Sequence, residues 1–484
     1  MSGGTSAARA GGITTIIGIV NAGVGLVFQA VLAAQLGLGS RADDFQLCWT
    51  IVTFLTVTIF SMVPSVLVPR MHRGADRDYA LGTWIYPAGL GGVLSVVQCV
   101  VAFGVGQGEL RTMLLAASPA ALLAGLTATP QAVAYLDRRF VVAAVGPVAN
   151  GVGLVAFVAL ARNELTAVAL GGALTVGYLV QFVATVIPVA RRRPRGLRSR
   201  GIGPGAFTGL ALYTAVAKFQ PVLERGLAVS VAPGATAALG LGQKIAQGLL
   251  MLAAFGLALT STPKLAQLAV ERSHDRAARV FAASLAGTLL LTSTTLAFAL
   301  PLAEPMTKLL YERGAFDGGD TVKVAAVVIA QLPWVAACAL AGVATTYLYV
   351  ERMYFRVMVS AGLGLAATAA GSFAIKPFAP DLAVAIGSSL GAVLSCAWSF
   401  FLVSRSELRP HLRAALTEYR GVLTSAVLLL ATSVTVYGGL SLAEGVAAFL
   451  PTVATVVIVA LVCAGCLLLS AVRREIKGVL GAEI

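Results

Sequence analysis

The chain has 484 residues, 58% hydrophobic and 12% charged, with a net charge of +14 and a mean hydropathy of +0.88. Soluble domains run at about 45–50% apolar and about 25% charged, so the composition excludes an ordinary soluble enzyme or nucleic-acid-binding domain. It points to an all-α polytopic membrane protein, whose positive charge belongs to its loops.

A spanning helix needs about 20 mostly apolar residues, and fourteen stretches qualify. Residues 1–11 are small and polar, with no secretory signal. The first span, 12–36, carries Asn21, Gly25 and Gln29 at i, i+4, i+8, one stripe of a helix. Spans at 45–69, 79–106, 112–136, 140–161 and 165–190 complete a first lobe over 1–190, and an Arg-rich linker follows at 191–205. The seventh span, 206–231, contains Lys218, Glu224 and Arg225; the eighth, 235–262, contains Lys244 flanked by Gln243 and Gln247. Spans at 279–303, 323–350, 357–375 and 381–404 complete a second lobe over 206–404. A loop at 405–420 leads to two extra spans, 421–442 and 445–472, and a tail, the last segment covering 421–484. Asn150, Gln131 and Gln331 are expected to be satisfied inside the bundle.

Charge fixes the orientation. With a cytoplasmic N-terminus, 25 of the 35 Lys and Arg fall in cytoplasmic segments, 7 in outer loops and 3 within spans. That bias places both termini in the cytoplasm of a multi-pass inner (plasma) membrane protein. The lobes also echo each other. Tyr135-Leu-Asp-Arg-Arg-Phe140 closes the fourth span and Tyr349-Val-Glu-Arg-Met-Tyr354 the tenth, so six spans repeat in the same orientation. The six cysteines lie in or beside apolar segments, and His72, His274 and His411 sit in loops at no ligand spacing, so no metal site is expected.

The intramembrane charges need an explanation. Each costs about 2.5–3.5 kcal/mol at a helix centre, which a wet cavity or a partner must offset. On an unbroken helix, Lys218 and Arg225 share a face about 10 Å apart along the axis. Arg225, Lys244 and Glu224 lie at similar depth by chain distance from Pro233-Gly234. One reading is a cationic surface for an anionic cargo; the other is an internal ion pair of Glu224 with Arg225 or Lys244.

Three short motifs carry a family resemblance. The first hairpin reads Leu36-Gly37-x-Gly39-x-x-Ala42-Asp43-x-Phe45, followed by Val68-Pro69. The fourth-to-fifth junction reads Arg139-Phe140 and then Pro147-x-x-Asn150. The ninth-to-tenth loop reads Leu310-Tyr311-Glu312-Arg313-Gly314-Ala315-Phe316, then Asp320-Thr321. In these the chain resembles the MurJ (MviN) lipid II flippases of the multidrug/oligosaccharidyl-lipid/polysaccharide exporter superfamily.

The resemblance implies alternating-access movement of a polyprenyl-pyrophosphate-linked saccharide between leaflets, through a cationic cavity, with a lipid-tail groove at the last two helices. It carries a cavity cation onto Lys244. The family's other cavity arginines would fall near Ala22, Phe28 and Thr56, none of which is basic. Lys218, Arg225 and Lys244 then become candidates for the pyrophosphate, and Gln243, Gln247, Asn21 and Gln29 for sugar hydroxyls. Glu224 is a candidate coupling group for Na+ or H+, and no other cofactor is expected. Expected partners are the lipid-linked saccharide, membrane lipids and cell-envelope synthesis enzymes, without nucleic acid. Two alternatives stand beside this: a transport-inactive scaffold for cell-envelope synthesis, and a cation-coupled drug antiporter of the same superfamily. No nucleotide loop, metal cluster or nucleophile–His pair supports an enzyme.

Overall fold

The apolar runs fold as helices, because a chain in lipid must satisfy its backbone groups within each segment. The computed structural model describes residues 3–63, 67–68, 82–105, 108–137, 139–161, 165–189, 216, 218–271, 273–351 and 353–442. The 191–205 linker, the span at 445–472 and most of the 421–484 segment beyond Leu442 lie outside the described residues, as do Pro69 and the seventh span before 216.

The first half contains α1 (Gly3–Leu36), α2 (Ser40–Met62), α3 (Gly82–Gly104), α4 (Glu109–Ala117), α5 (Pro119–Leu136), α6 (Phe140–Leu160) and α7 (Ala167–Val186). The second contains α8 (Gln220–Val229), α9 (Ala235–Val270), α10 (His274–Tyr311), α11 (Gly318–Ala330), α12 (Leu332–Val350) and α13 (Tyr354–Ile375). After a 3-10 turn at Pro380–Leu382 come α14 (Ala383–Ser404), α15 (Arg409–Glu418) and α16 (Arg420–Leu442). Among the described residues nine helical stretches are long and apolar enough to cross a membrane, ten if α15 and the start of α16, bent by 71°, count as one. The shorter apolar stretch Val20–Leu36 lies within α1. This is an all-α polytopic membrane fold.

Proline sets several helix starts. Pro119, Pro221, Pro333 and Pro410 occupy the first turns of α5, α8, α12 and α15, where a missing N–H costs nothing. The fourth expected span is thus two helices meeting at Ser118, and the tenth is two meeting at Gln331.

The chain divides into two compact units, Met1–Ala237 with Leu310–Asp317, and Ala238–Leu309 with Gly318–Ile484. In the first, Phe28, Phe45 and Trp49 stack together, with Phe28 and Trp49 ring centroids 4.8 Å apart. Leu32, Val52, Met113, Leu114, Val158 and Leu170 join the same core. In the second, Leu265, Phe281, Val343, Tyr347, Leu402, Val403 and Leu408 share an apolar cluster. Its α13 and α14 pack through small and hydroxyl residues, as membrane helices do. The Ser360 hydroxyl donates to the Ser395 carbonyl at 2.8 Å.

The two echoing segments fold into the same corner. Arg139 N–H closes the first by donating to the Ala134 carbonyl at 2.8 Å, and Met353 N–H closes the second on Leu348 at 2.9 Å. Each brings its flanking aromatics together: Tyr135 and Phe140 at 6.3 Å, Tyr349 and Tyr354 at 5.8 Å between centroids.

Candidate functional site

The first unit holds a buried charge cluster. Glu224 and Arg225, on α8, are 2% and 5% exposed. Gln220 Nε2 donates to Glu224 Oε1 at 2.9 Å, one turn back on the same helix. Asp43 of α2 faces the segment that starts α9. Its carboxylate accepts from Gly234 N–H at 2.5 Å and Ala237 N–H at 2.7 Å, and also from the Thr236 N–H. A carboxylate there satisfies amides that have no partner within the helix and meets the positive end of its dipole. The charges of both Glu224 and Asp43 act on the Arg225 guanidinium. Sequence reasoning placed one acid among three cations; within this unit the structure sets two acids around the buried arginine. Asp43 was visible only as a motif letter, since its partners lie about 190 residues away in the chain.

The same region is tied together by the ninth-to-tenth loop motif at 310–316. Gly314 has φ +65, and a β-carbon on it would stand 2.2 Å from the Ala34 carbonyl oxygen. Ala315 N–H donates to that same carbonyl at 2.8 Å. Tyr311 and Phe316 are buried on either side of the turn, their ring centroids 5.9 Å apart. Gly234, at φ +85, brings the loop before α9 against the Leu38 carbonyl oxygen, 2.5 Å from where a β-carbon would be. Three segments distant in sequence, 34–43, 234–237 and 311–316, therefore form one backbone knot inside the first unit.

The candidate residues divide by exposure. Lys218 and Gln247 are exposed, and Lys244 and Asn21 half-buried; Glu224, Arg225, Gln243 and Gln29 are buried. Lys218 and Arg225, expected on one face of an unbroken helix, differ in burial because α8 starts afresh at Gln220, after Phe219. Proline at 221 has no N–H with which to continue a helix through that point. Lys244 Nζ lies 3.5 Å from Gln247 Oε1 on α9, in the second unit. Gln29 is not turned outward for cargo: it is 0% exposed and its Oε1 accepts from Gln46 Nε2 at 2.8 Å. The uncharged positions near which family arginines would fall have their own partners. Phe28 belongs to the aromatic stack, and the Thr56 hydroxyl lies 2.6 Å from that of Tyr178.

Comparison with known proteins decides the family. The family model described as lipid II flippase MurJ matches residues 108–459, well over half of the chain. The chain belongs to the MurJ lipid II flippase family. It is a flippase or exporter of a lipid-linked saccharide in the superfamily that its first-hairpin and Gly314 motifs suggested. A solved MurJ lipid II flippase in an inward closed conformation has the same fold, with TM-score 0.74 and 13% identity over 94% of this chain and 97% of that one. An inward-facing multidrug resistance MATE transporter aligns with TM-score 0.64 and 12% identity, covering 81% of this chain and 95% of the other. The Vibrio cholerae MATE transporter VcmN, in its bent form, aligns with TM-score 0.56 and 14% identity over 85% and 98%. No curated protein matches the chain in sequence.

Proposed function

We propose that this MurJ-family chain carries a polyprenyl-pyrophosphate-linked saccharide, lipid II or a related cell-envelope glycan precursor, from the inner to the outer leaflet of the cytoplasmic membrane. The family match carries this reading. Solved structures of this fold include inward-facing and outward-facing forms, which supports alternating access as the mechanism. In this reading, helices within 1–190 and 206–404 are the two moving lobes, joined by the 191–205 linker. The 405–420 segment and the extra helices of 421–484 follow. Both termini are cytoplasmic, and the protein performs transport without covalent chemistry.

The accessible cations, Lys218 and Lys244, are assigned to the pyrophosphate, with Gln247 and Asn21 offering neutral contacts to the saccharide. Buried Arg225 is assigned to holding α8 in place. Glu224 keeps the coupling role: a proton or Na+ arriving there would weaken its hold on Arg225 and loosen α8.

The assignment is tested with purified protein in vesicles and a fluorescent polyprenyl-pyrophosphate saccharide. Charge-assisted bonds are worth about 1.5–3 kcal/mol, so Lys218→Ala and Lys244→Ala should each slow flipping by about 10–100-fold at unchanged protein yield. Arg225→Ala should instead lose folded protein, because it leaves buried carboxylates uncompensated. Wild-type flipping by both lysine variants would remove these cations from the mechanism.

A further inference from the structure

The tenth span is broken near its middle, and the break contains a polar side chain that no described residue satisfies. Gln331 stands between α11 and α12 and is 1% exposed. Among the described residues neither its Nε2 nor its Oε1 has a hydrogen-bond partner, against the expectation that this amide is satisfied in the bundle. An apolar interior penalises such a group heavily, and native buried amides almost always have a partner.

Several backbone groups around it have partners. Gln331 N–H donates to the carbonyls of Val327 and Val328, both at 3.1 Å, and the Gln331 carbonyl accepts from Val335 N–H at 3.0 Å. The Ala330 carbonyl accepts from the Ser389 hydroxyl at 2.7 Å. Residue 333 is proline, so the Ile329 carbonyl, four residues earlier, receives no N–H from the position that would serve it in a continuous helix. Breaks of this kind are tolerated in a membrane when ordered water or a side chain serves the released groups.

We infer that a buried water molecule occupies this break, bridging the Gln331 side chain to the Ile329 carbonyl. The chemistry of the amide selects the ligand. A cation would suit Oε1 and be repelled by the Nε2 hydrogens, and an anion would suit only Nε2. Water accepts from Nε2 and donates to Oε1 while its second hydrogen serves Ile329, which gives it the three bonds typical of buried water. The tenth span is then a hydrated joint.

The sign of a stability change separates the possibilities. With water bridging, Gln331→Leu strips the Ile329 carbonyl of its donor, and the melting temperature should fall by about 2 °C or more. Pro333→Ala supplies an N–H to Ile329, so Gln331→Leu/Pro333→Ala should recover most of that loss. An experimental density map at about 2.5 Å or better should show solvent within hydrogen-bond distance of Gln331. An unchanged or higher melting temperature for Gln331→Leu would overturn the inference, as would a map with the amide bonded directly to protein. Should Gln331→Leu yield no folded protein, Gln331→Met replaces it, with the same sign expected and the same outcome overturning.

Discussion

At Gly314 the backbone adopts φ +65, and the Ala34 carbonyl oxygen occupies the space that a side chain would enter. An L-residue in that conformation costs about 1–2 kcal/mol, and the blocking atom is backbone, which cannot rotate away. Gly314→Ala should therefore lower the melting temperature by several degrees and reduce the yield of folded protein. Gly318→Ala, four residues on at the start of α11, has nothing within 4 Å of the added carbon and should melt within a degree or so of wild type. Equal behaviour of the two in a fluorescence-detected melt would show that the 311–316 turn does not fasten the first unit. The motif around Gly314 was legible in the sequence as one of three that carry the family resemblance. Its physical reason was not, because the residue it serves, Ala34, belongs to the first helix. The Asp43 cap escaped sequence reading for the same cause: a side chain that caps a helix from another element leaves no local pattern.

Elements show the complementary behaviour, with local pattern decisive and long-range context silent. The apolar runs located the described helices well, since length and hydropathy alone decide what can cross a bilayer. The Tyr135 and Tyr349 corners were readable as repeats because acid, arginine and aromatics recur at fixed spacing. Prolines recur in the spans and kinks are one reading of them, but the sequence does not separate Pro119, Pro221 and Pro333, which stand at helix breaks, from Pro87, Pro130 and Pro147, which lie inside continuous helices. Helix α15 was read as a charged loop, Arg being prominent in 405–420 and the apolar face short. Ten residues cannot hold a helix in isolation, so docking must stabilise it. Leu408, at its cap, is 0% exposed and Ala415 2%, and both join the second unit's core with Leu412 and Leu416 beside them. Leu408→Ala should cost about 2–4 kcal/mol, seen as a lowered melting temperature. Arg409→Ala, on the exposed face, should stay within about 0.5 kcal/mol of wild type. If both variants melt alike, α15 is not held by its apolar face.

For the whole molecule, the division into units cuts across the order of the chain. The segment Leu310–Asp317 comes from the second half of the sequence yet belongs to the first unit, and so does α8. The proposed orientation rests on charge asymmetry, a global property of the sequence. Anionic headgroups and the membrane potential favour Lys and Arg on the cytoplasmic side, and the bias of 25 against 7 rests on the count of fourteen spans, because one missed span would invert every loop after it. In the proposed orientation the turn containing Glu407 is cytoplasmic and the turn containing Asp317 is on the outer side. Both residues are exposed, so cysteines placed there can react with a reagent that does not cross membranes. In a variant lacking the six native cysteines, Asp317→Cys should label in intact cells, and Glu407→Cys only after the membrane is permeabilised. Reporters fused to each terminus should both read cytoplasmic. The inverse labelling pattern would place the Arg-rich segments outside, and a cargo loaded from the inner leaflet would then meet the opposite face of the transporter.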